Sequence, residues 1–322
     1  MIVNKDVFFT LQEKVGYVSF EQTQAWLEAC GSNNTCRIVY LVDSDKDPKV
    51  ACWGRETSRK FFGRKLMIDG LSYAPDVPHK TLTNFFKSLT SLGYSLIEVS
   101  DIEGYNPNFE IGIRRAGFVR PWGLSLCPMS IIVHLQDEFN FSRNWRRNVK
   151  KSRDAGNEFV YVQSPTLEDA KHYLSLFGAL KERKGLSYKL TAEEILKLLE
   201  GGYDMFFVKD KNGNYLSGRI EYPNGDLVFD TYAATNKEGI KVGAAYHIQE
   251  DIFNYYRDKG FARFDYGRIP PSADKMDDIF VAKSYSGGES IGYNGQWVYF
   301  TNRNKYALRV AILQVLHKKR IY

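Results

Sequence analysis

Apolar positions fall into two runs of predicted elements, and the second run repeats the order of the first. In the first half, Ala25, Trp26 and Ala29 lie at helical spacing and predict a helix over Phe20–Ala29. Strands are predicted at Arg37–Val42 and Lys49–Gly54, followed by the segment Lys65–Leu71. An amphipathic helix follows over His79–Leu92 with Gly93 as its stop, then a strand over Ser95–Val99. Asn108–Ala116 reads as a helix, and Gly117-Phe118 leads toward a further strand.

The second half has helices at Thr166–Lys184 and Thr191–Glu200, then a strand meander over Met205–Lys209, Tyr215–Tyr222 and Asp226–Ala233. Asn-Gly pairs in Lys211-Asn-Gly-Asn and Pro223-Asn-Gly form its hairpin turns. Gly243–Lys259 is a helix stopped at Gly260, and Phe264–Tyr266 is a strand. Near the end, Ala307, Leu308, Ala311, Ile312, Val315 and Leu316 form an apolar stripe, with Lys318, Lys319 and Arg320 beyond it. Such a stripe predicts a helix over 304–317 that docks on a domain.

With 322 residues the chain exceeds one ordinary core. The expected division is 1–138 and 139–322, with a seam near Gln136–Ser142 and helix 304–317 free to pack back on the first domain. A hydrophobic fraction of 43% and a charged fraction of 25% describe a folded chain rather than a disordered one. The opening residues carry no secretory signal, and no apolar run approaches the roughly 18 residues of a membrane span. The four cysteines (Cys30, Cys36, Cys52, Cys127) form no CxxC pair, and the five histidines have no ligand spacing. Reduced thiols, a cytoplasmic location and the absence of a metal site are the expectation.

A net charge of +6 favours anionic partners, and its densest cluster is local. Arg143, Arg146, Arg147, Lys150 and Lys151 share one face of a predicted helix, with Arg153 nearby. This is a solvated face or a contact for phosphate or RNA.

Several segments resemble, in order, those of the Fem transferases (FemABX). Phe20-Glu-Gln-Thr-Gln-Ala-Trp26 is similar to the family's Gln-x-x-x-Trp helix, and Asp69-Gly-Leu-Ser-Tyr-Ala-Pro75 to its Gly-Pro turn. Asn148-Val-Lys-Lys-Ser resembles Asn-Val-Arg-Lys-Ala, and Lys181-Glu-Arg-Lys-Gly185 resembles Glu-Arg-x-Gly. Phe264-Asp-Tyr-Gly267 resembles Tyr-Asp-Phe-Gly, and Val281-Ala-Lys-Ser-Tyr-Ser-Gly-Gly288 resembles Phe-Lys-x-x-Phe-Gly-Gly. The resemblance implies an α/β (α+β) fold of two tandem GNAT-like domains with a C-terminal helix, of the compact type without a coiled-coil arm. It also implies transfer of an aminoacyl group from aminoacyl-tRNA to an amine of a nucleotide- or lipid-linked muropeptide, without metal or resident cofactor. Peripheral contact with the inner membrane face would follow from a lipid-linked acceptor.

The same resemblance assigns roles. Lys283 would stabilise a developing oxyanion or meet the terminal phosphate of tRNA, ahead of a flexible Gly287-Gly288. Asp101, at the end of its strand, would hold the acceptor amine. Arg183, Tyr188, Tyr73 and Tyr266 would bind substrate, an arginine fork suiting a diphosphate. Two other readings stand beside this one. Ile240-Lys-Val-Gly-Ala-Ala245 partly matches the (Gln/Arg)-x-x-Gly-x-(Gly/Ala) turn of CoA-dependent acyltransferases, which would take acyl-CoA as donor and a sugar or polysaccharide precursor as acceptor. The basic helix and the terminal stripe also suit a non-enzymatic module that binds RNA or an anionic surface.

Overall fold

The computed structural model describes residues 1–31, 36–122, 129–185, 190–269 and 278–317. The chain divides into two compact units. Unit 1 comprises Met1–Met129, Arg268–Asp274 and Ile291–Tyr322; unit 2 comprises Ser130–Gly267 and Lys275–Ser290.

Unit 1 begins with β1 (Ile2–Val3), α1 (Lys5–Gln12), the single turn α2 (Gln24–Trp26), β2 (Arg37–Val42) and β3 (Val50–Arg59). It continues through β4 (Gly63–Asp69), β5 (Ser72–Tyr73), α3 (His79–Thr90), β6 (Leu96–Gly104) and α4 (Pro107–Arg115). The helix predicted at 20–29 is a 3-10 turn, then α2, then a π turn, because Thr23 is extended and restarts the chain as an N-cap. At the start of α4, Asn106 caps the helix and Pro107 occupies a first-turn position whose amide needs no partner.

Unit 2 begins within β7 (Met129–His134) and contains α5 (Arg143–Asp154), β8 (Glu158–Tyr161), α6 (Leu167–Lys184), α7 (Ala192–Glu200) and β9 (Asp204–Lys209). Then come β10 (Tyr215–Asn224), β11 (Leu227–Thr235), α8 (Lys237–Val242), α9 (Ala244–Asp258), β12 (Arg263–Asp265) and α10 (Asp278–Ser284). Thr166 with Asp169, and Thr191 with Glu194, close capping boxes on α6 and α7. The last elements are β13 (Glu289–Phe300) and α11 (Arg303–His317).

Each unit has the same plan. In unit 1, β2, β3 and β4 form an antiparallel meander, α3 crosses over, and β6 lies parallel to β4 with Lys65 opposite Leu96 and Asp69 opposite Ser100. In unit 2, β9, β10 and β11 form the meander, α9 crosses over, and β12 lies parallel to β11 with Leu227 opposite Arg263. A further antiparallel strand flanks each parallel strand: β13 beside β6, and β7 beside β12. The flanking strand therefore comes from the end of the chain in unit 1 and from the start of the unit in unit 2. The strand expected after Gly117-Phe118 amounts, among the described residues, to one bridge between Val119 and Val298.

The core of unit 1 fills one face of its sheet, where Leu66, Ile68, Ile97, Val99 and Trp297 meet Leu82, Phe85, Phe86 and Phe109 from the helices. On the other face, α11 lays Tyr306 and Val310 against Leu96 and Val298. Burial of apolar surface at about 25 cal/mol per Å² drives both contacts.

Candidate active site

Each unit gathers buried polar groups around its parallel strand. In unit 1, β6 carries Ser100 and Asp101 side by side, so their side chains leave opposite faces of the sheet. Asp101 Oδ2 accepts from the Tyr73 hydroxyl at 2.7 Å and from Asn294 Nδ2 at 2.7 Å. Asn294 Nδ2 also lies 2.8 Å from the Tyr73 oxygen, and its Oδ1 accepts the amide of Asn106 at 2.7 Å. Burial pushes the Asp101 carboxyl up to about 6, against the lowering effects of Asn294, Tyr73, Arg268 and the Leu71 amide. Ser100 Oγ accepts from Arg268 Nη2 at 3.0 Å, and Arg268 grips Glu21 with two bonds of 2.7 and 2.9 Å. Burial raises the Glu21 carboxyl and Arg268 pulls it back. Asp69, at the end of β4, pairs with Arg55.

In unit 2, a bulge shapes the cluster. The register of β10 against β11 shifts between Ile220 and Glu221, leaving Thr231 as an extra residue whose hydroxyl bonds the Ile220 carbonyl at 2.5 Å. Glu221 thereby stands opposite Asp230, on the same face as Arg219. Arg219 Nη1 contacts both Asp230 oxygens, at 3.0 and 2.9 Å. Lys283, on α10, donates to the Tyr266 carbonyl at 2.5 Å, lies 3.6 Å from Asp230 Oδ2, and sits 5.1 Å from the centre of the Tyr266 ring.

Glu221 is fully buried, and neither carboxyl oxygen has a hydrogen-bond partner among the described residues. Burial, reinforced by the Asp230 charge, holds the Glu221 carboxyl well above the usual carboxylate range. Burial also lowers the Lys283 ammonium, partly offset by Asp230. Arg219 and Lys283 thus share Asp230, and the charge of Asp265 also acts on Lys283. Lys283 keeps 20% of its side chain exposed.

The structure brings Asp101 together with Tyr73, and Lys283 together with Tyr266. Tyr266 is 2% exposed, and it contacts Lys283 with its carbonyl and ring. Tyr188 lies outside the described residues. Arg183 is exposed in the last turn of α6 and donates to the Thr235 carbonyl at 3.1 Å. Asp101 does not end its strand: β6 runs on to Gly104 because β13 pairs with it up to that residue. Gly287 and Gly288 do not loosen the chain beside Lys283. A Cβ on Gly287 would lie 2.4 Å from the Asn140 carbonyl oxygen, and one on Gly288 would lie 2.6 Å from that of Ile132. These glycines serve close backbone approach.

All five cations named on α5 are exposed, but they are not equivalent. Lys150 pairs with Asp154 at 2.7 Å, and Lys151 donates to the Lys241 carbonyl at 2.5 Å. Arg147 bonds Asn144 at 2.8 Å. Arg143, Arg146 and Arg147 have no carboxylate partner among the described residues. The same helix also packs on the turn that leads into α9. Gly243 has φ +80°, and a Cβ there would come within 2.4 Å of the Asn148 carbonyl oxygen. The turn compared above with a CoA pyrophosphate site therefore has α5 backbone against it.

Sequence reasoning missed Arg219, Glu221, Asp230, Glu21, Arg268 and Asn294. Arg268 directly follows the Phe264–Gly267 motif, and Asn294 sits in Gly292-Tyr-Asn-Gly, two local signals that were available. Among the described residues there is no group of three or more His, Cys, Asp or Glu placed to hold a metal, and no helix long and apolar enough to cross a membrane.

Comparison with known proteins gives a consistent fold. The crystal structure of FemX superposes with a TM-score of 0.75 at 14% identity, covering 96% of this chain and 100% of that one. L-PGS from Bacillus licheniformis superposes at 0.65 with 15% identity, over 98% of this chain and 97% of that one. A tandem GNAT protein from the clavulanic acid biosynthesis pathway does so at 0.50 with 10% identity, over 91% and 92%. A curated relative, the aspartate/glutamate leucyltransferase of Helicobacter hepaticus (strain ATCC 51449 / 3B1), is 28% identical over 131 residues, 36% of this chain and 53% of the relative. The chain thus spans about half the length of that relative. No protein-family model matches the chain. The fold is the tandem GNAT fold seen in FemX.

Proposed function

We propose that the chain is an acyltransferase of the aminoacyl type, moving an aminoacyl group from charged tRNA to an amine of a peptidoglycan precursor. The observation that carries this reading is Lys283, whose side chain is 20% exposed and whose ammonium shares the Asp230 carboxylate with Arg219. When an amine attacks an ester carbonyl, charge develops on the carbonyl oxygen, and a preorganised cation stabilises that charge. The new bond joins the amine nitrogen to the acyl carbon. The ester bond to the ribose oxygen breaks, and that oxygen leaves with the proton lost by the amine.

Three further points support the reading. The fold is shared with FemX, a relative is named as a leucyltransferase, and α5 offers three exposed arginines with no carboxylate partner among the described residues as phosphate contacts. The acceptor would be a nucleotide- or lipid-linked muropeptide, with Asp101 or Arg183 on its amine or phosphates. Acyl-CoA is the competing donor. The close contact between Gly243 and Asn148 counts against it, because a pyrophosphate at the α9 start would share that turn with α5.

The test is incubation with a mixture of charged tRNAs, labelled acetyl-CoA and a nucleotide-linked muropeptide, scored by mass spectrometry. A mass increase of one aminoacyl residue on the muropeptide, dependent on tRNA, is expected. Acetylation with no tRNA dependence would replace this reading with the CoA one.

A further inference from the structure

Unit 1 contains a second chemically distinctive place, at the opposite ends of the strands that carry Asp69 and Asp101. A cavity of about 600 Å³ lies where β4 and β6 begin, between the sheet and α11. Its size falls within the range of small-molecule sites. Strand alternation explains its two-sided chemistry. Leu66, Ile68, Ile97 and Val99 point into the main core, so Lys65, Met67, Leu96 and Glu98 emerge on the face toward α11.

The apolar part of the lining comes from Phe62, Met67, Leu96, Phe300, Ile312 and Leu313. The polar part combines neutral groups (Thr57, Ser95, Thr301, Asn302, Tyr306) with several cations. Lys65 Nζ lies 2.5 Å from Glu98 Oε2, and Arg309 Nη1 lies 2.8 Å from Glu98 Oε1. Each oxygen of one carboxylate is thus taken by a different cation, and one positive charge is left over in a mostly buried place. Lys305, also in the lining, has its ammonium on the Phe61 carbonyl at 3.2 Å, and Arg59 adds a further cation. An uncompensated charge next to apolar wall is costly unless an anion answers it.

We propose that this cavity binds an amphipathic anion, its phosphate or carboxylate head meeting Lys65, Arg309 and Lys305 and its apolar body lying on Met67, Leu96, Phe300 and Leu313. The head supplies the charge that Glu98 cannot supply twice. The body covers apolar wall that α11 leaves uncovered. This site is independent of the transfer reaction proposed above and stands or falls separately from it.

The experiment is calorimetric titration of the full chain with dodecyl phosphate, dodecanoate, adenosine monophosphate and inorganic phosphate. Saturable one-to-one binding of at least one of the first three is expected, with none by inorganic phosphate at equal concentration. Preference for the alkyl probes identifies a lipid-like body, and preference for the nucleotide identifies an aromatic one. Lys65→Met should weaken binding about tenfold or more by removing a charged contact. Leu313→Trp should abolish binding by filling the space, and Lys305→Met, an exposed change, supplies a variant that keeps the fold and still weakens binding. The proposal is overturned if no amphipathic probe binds the folded chain. It is equally overturned if inorganic phosphate binds as well as the amphipathic probes, or if binding is unchanged in Lys305→Met and Leu313→Trp at wild-type melting temperature.

Discussion

Asn294 and Asp101 meet across 193 residues of chain, the Asn294 amide donating to the Asp101 carboxylate at 2.7 Å. Burial, which this contact only partly offsets, makes Asp101 a pH-sensitive element of unit 1. Its carboxyl is raised from 3.8 to about 6 by burial, so between those values the native chain holds a proton that the unfolded chain has lost. The contribution to stability is complete below about 3.8 and is lost as pH rises through about 6. A shift of that size amounts to about 3 kcal/mol. Asp101→Asn should therefore gain melting temperature relative to the natural chain between pH 4 and 7, with little change in the gap above pH 7. A gap independent of pH would show that Asp101 is not held up by burial.

Gly243 gives a second expectation, this time about packing. Its φ of +80° disfavours any side chain, and the Asn148 backbone blocks the space where a Cβ would go. Gly243→Ala should destabilise by about 2–4 kcal/mol, combining left-handed strain with overpacking. Chemical denaturation should show this loss, and hydrogen exchange should place the loosening in α5 and the start of α9. Wild-type stability would mean that α5 does not press on this turn.

The fold was legible where local chemistry sets it. Gly213 and Gly225, both at positive φ, make the hairpins of the second meander, and Gly185 and Gly260 end helices where the periodicity stops. What stayed hidden depends on distant pairing. β13 is twelve residues long, yet Gly292, Asn294, Gly295 and Gln296 interrupt its apolar alternation, and its partner β6 lies far back in the chain. Arg268 and Glu21 are 247 residues apart, and no periodicity could join them. The bulge at Thr231 turns Asp230 toward Glu221, a change of face invisible to a period-two reading. The same limit applies to a linear boundary, which cannot express that Ile291–Tyr322 returns to unit 1.

The arginines of α5 can be tested without disturbing the fold. Arg143, Arg146 and Arg147 are exposed and make no ion pair among the described residues, so Arg→Gln at each should alter stability by no more than about 0.5 kcal/mol. If they contact tRNA phosphates, each change should lower the slope of log affinity against log salt by about 0.7–0.9. Lys150→Gln is the internal control, since Asp154 already neutralises Lys150 and the slope should move less. Equal slopes for all four variants and the natural chain would remove α5 from RNA binding.

Lys283 carries the mechanistic prediction. Its ammonium is fixed by the Tyr266 carbonyl and shares Asp230 with Arg219, so it is held in position before substrate arrives. A preorganised cation contributes about 3 kcal/mol to a transition state that develops negative charge, so Lys283→Ala should cut kcat by roughly a hundredfold or more. KM for the acceptor should change little, because the interaction strengthens only as charge develops. Burial depresses the Lys283 pKa below 10.5, and the cation is the working form. Activity should therefore fall on the alkaline side at a pH below that value, and this limb should vanish in Lys283→Ala. Arg183→Ala, on an exposed helix end, should instead raise the acceptor KM. Kinetic profiles of folded variants with matched melting temperatures decide the point. A Lys283→Ala chain with normal kcat and an unchanged alkaline limb would exclude Lys283 from the chemistry.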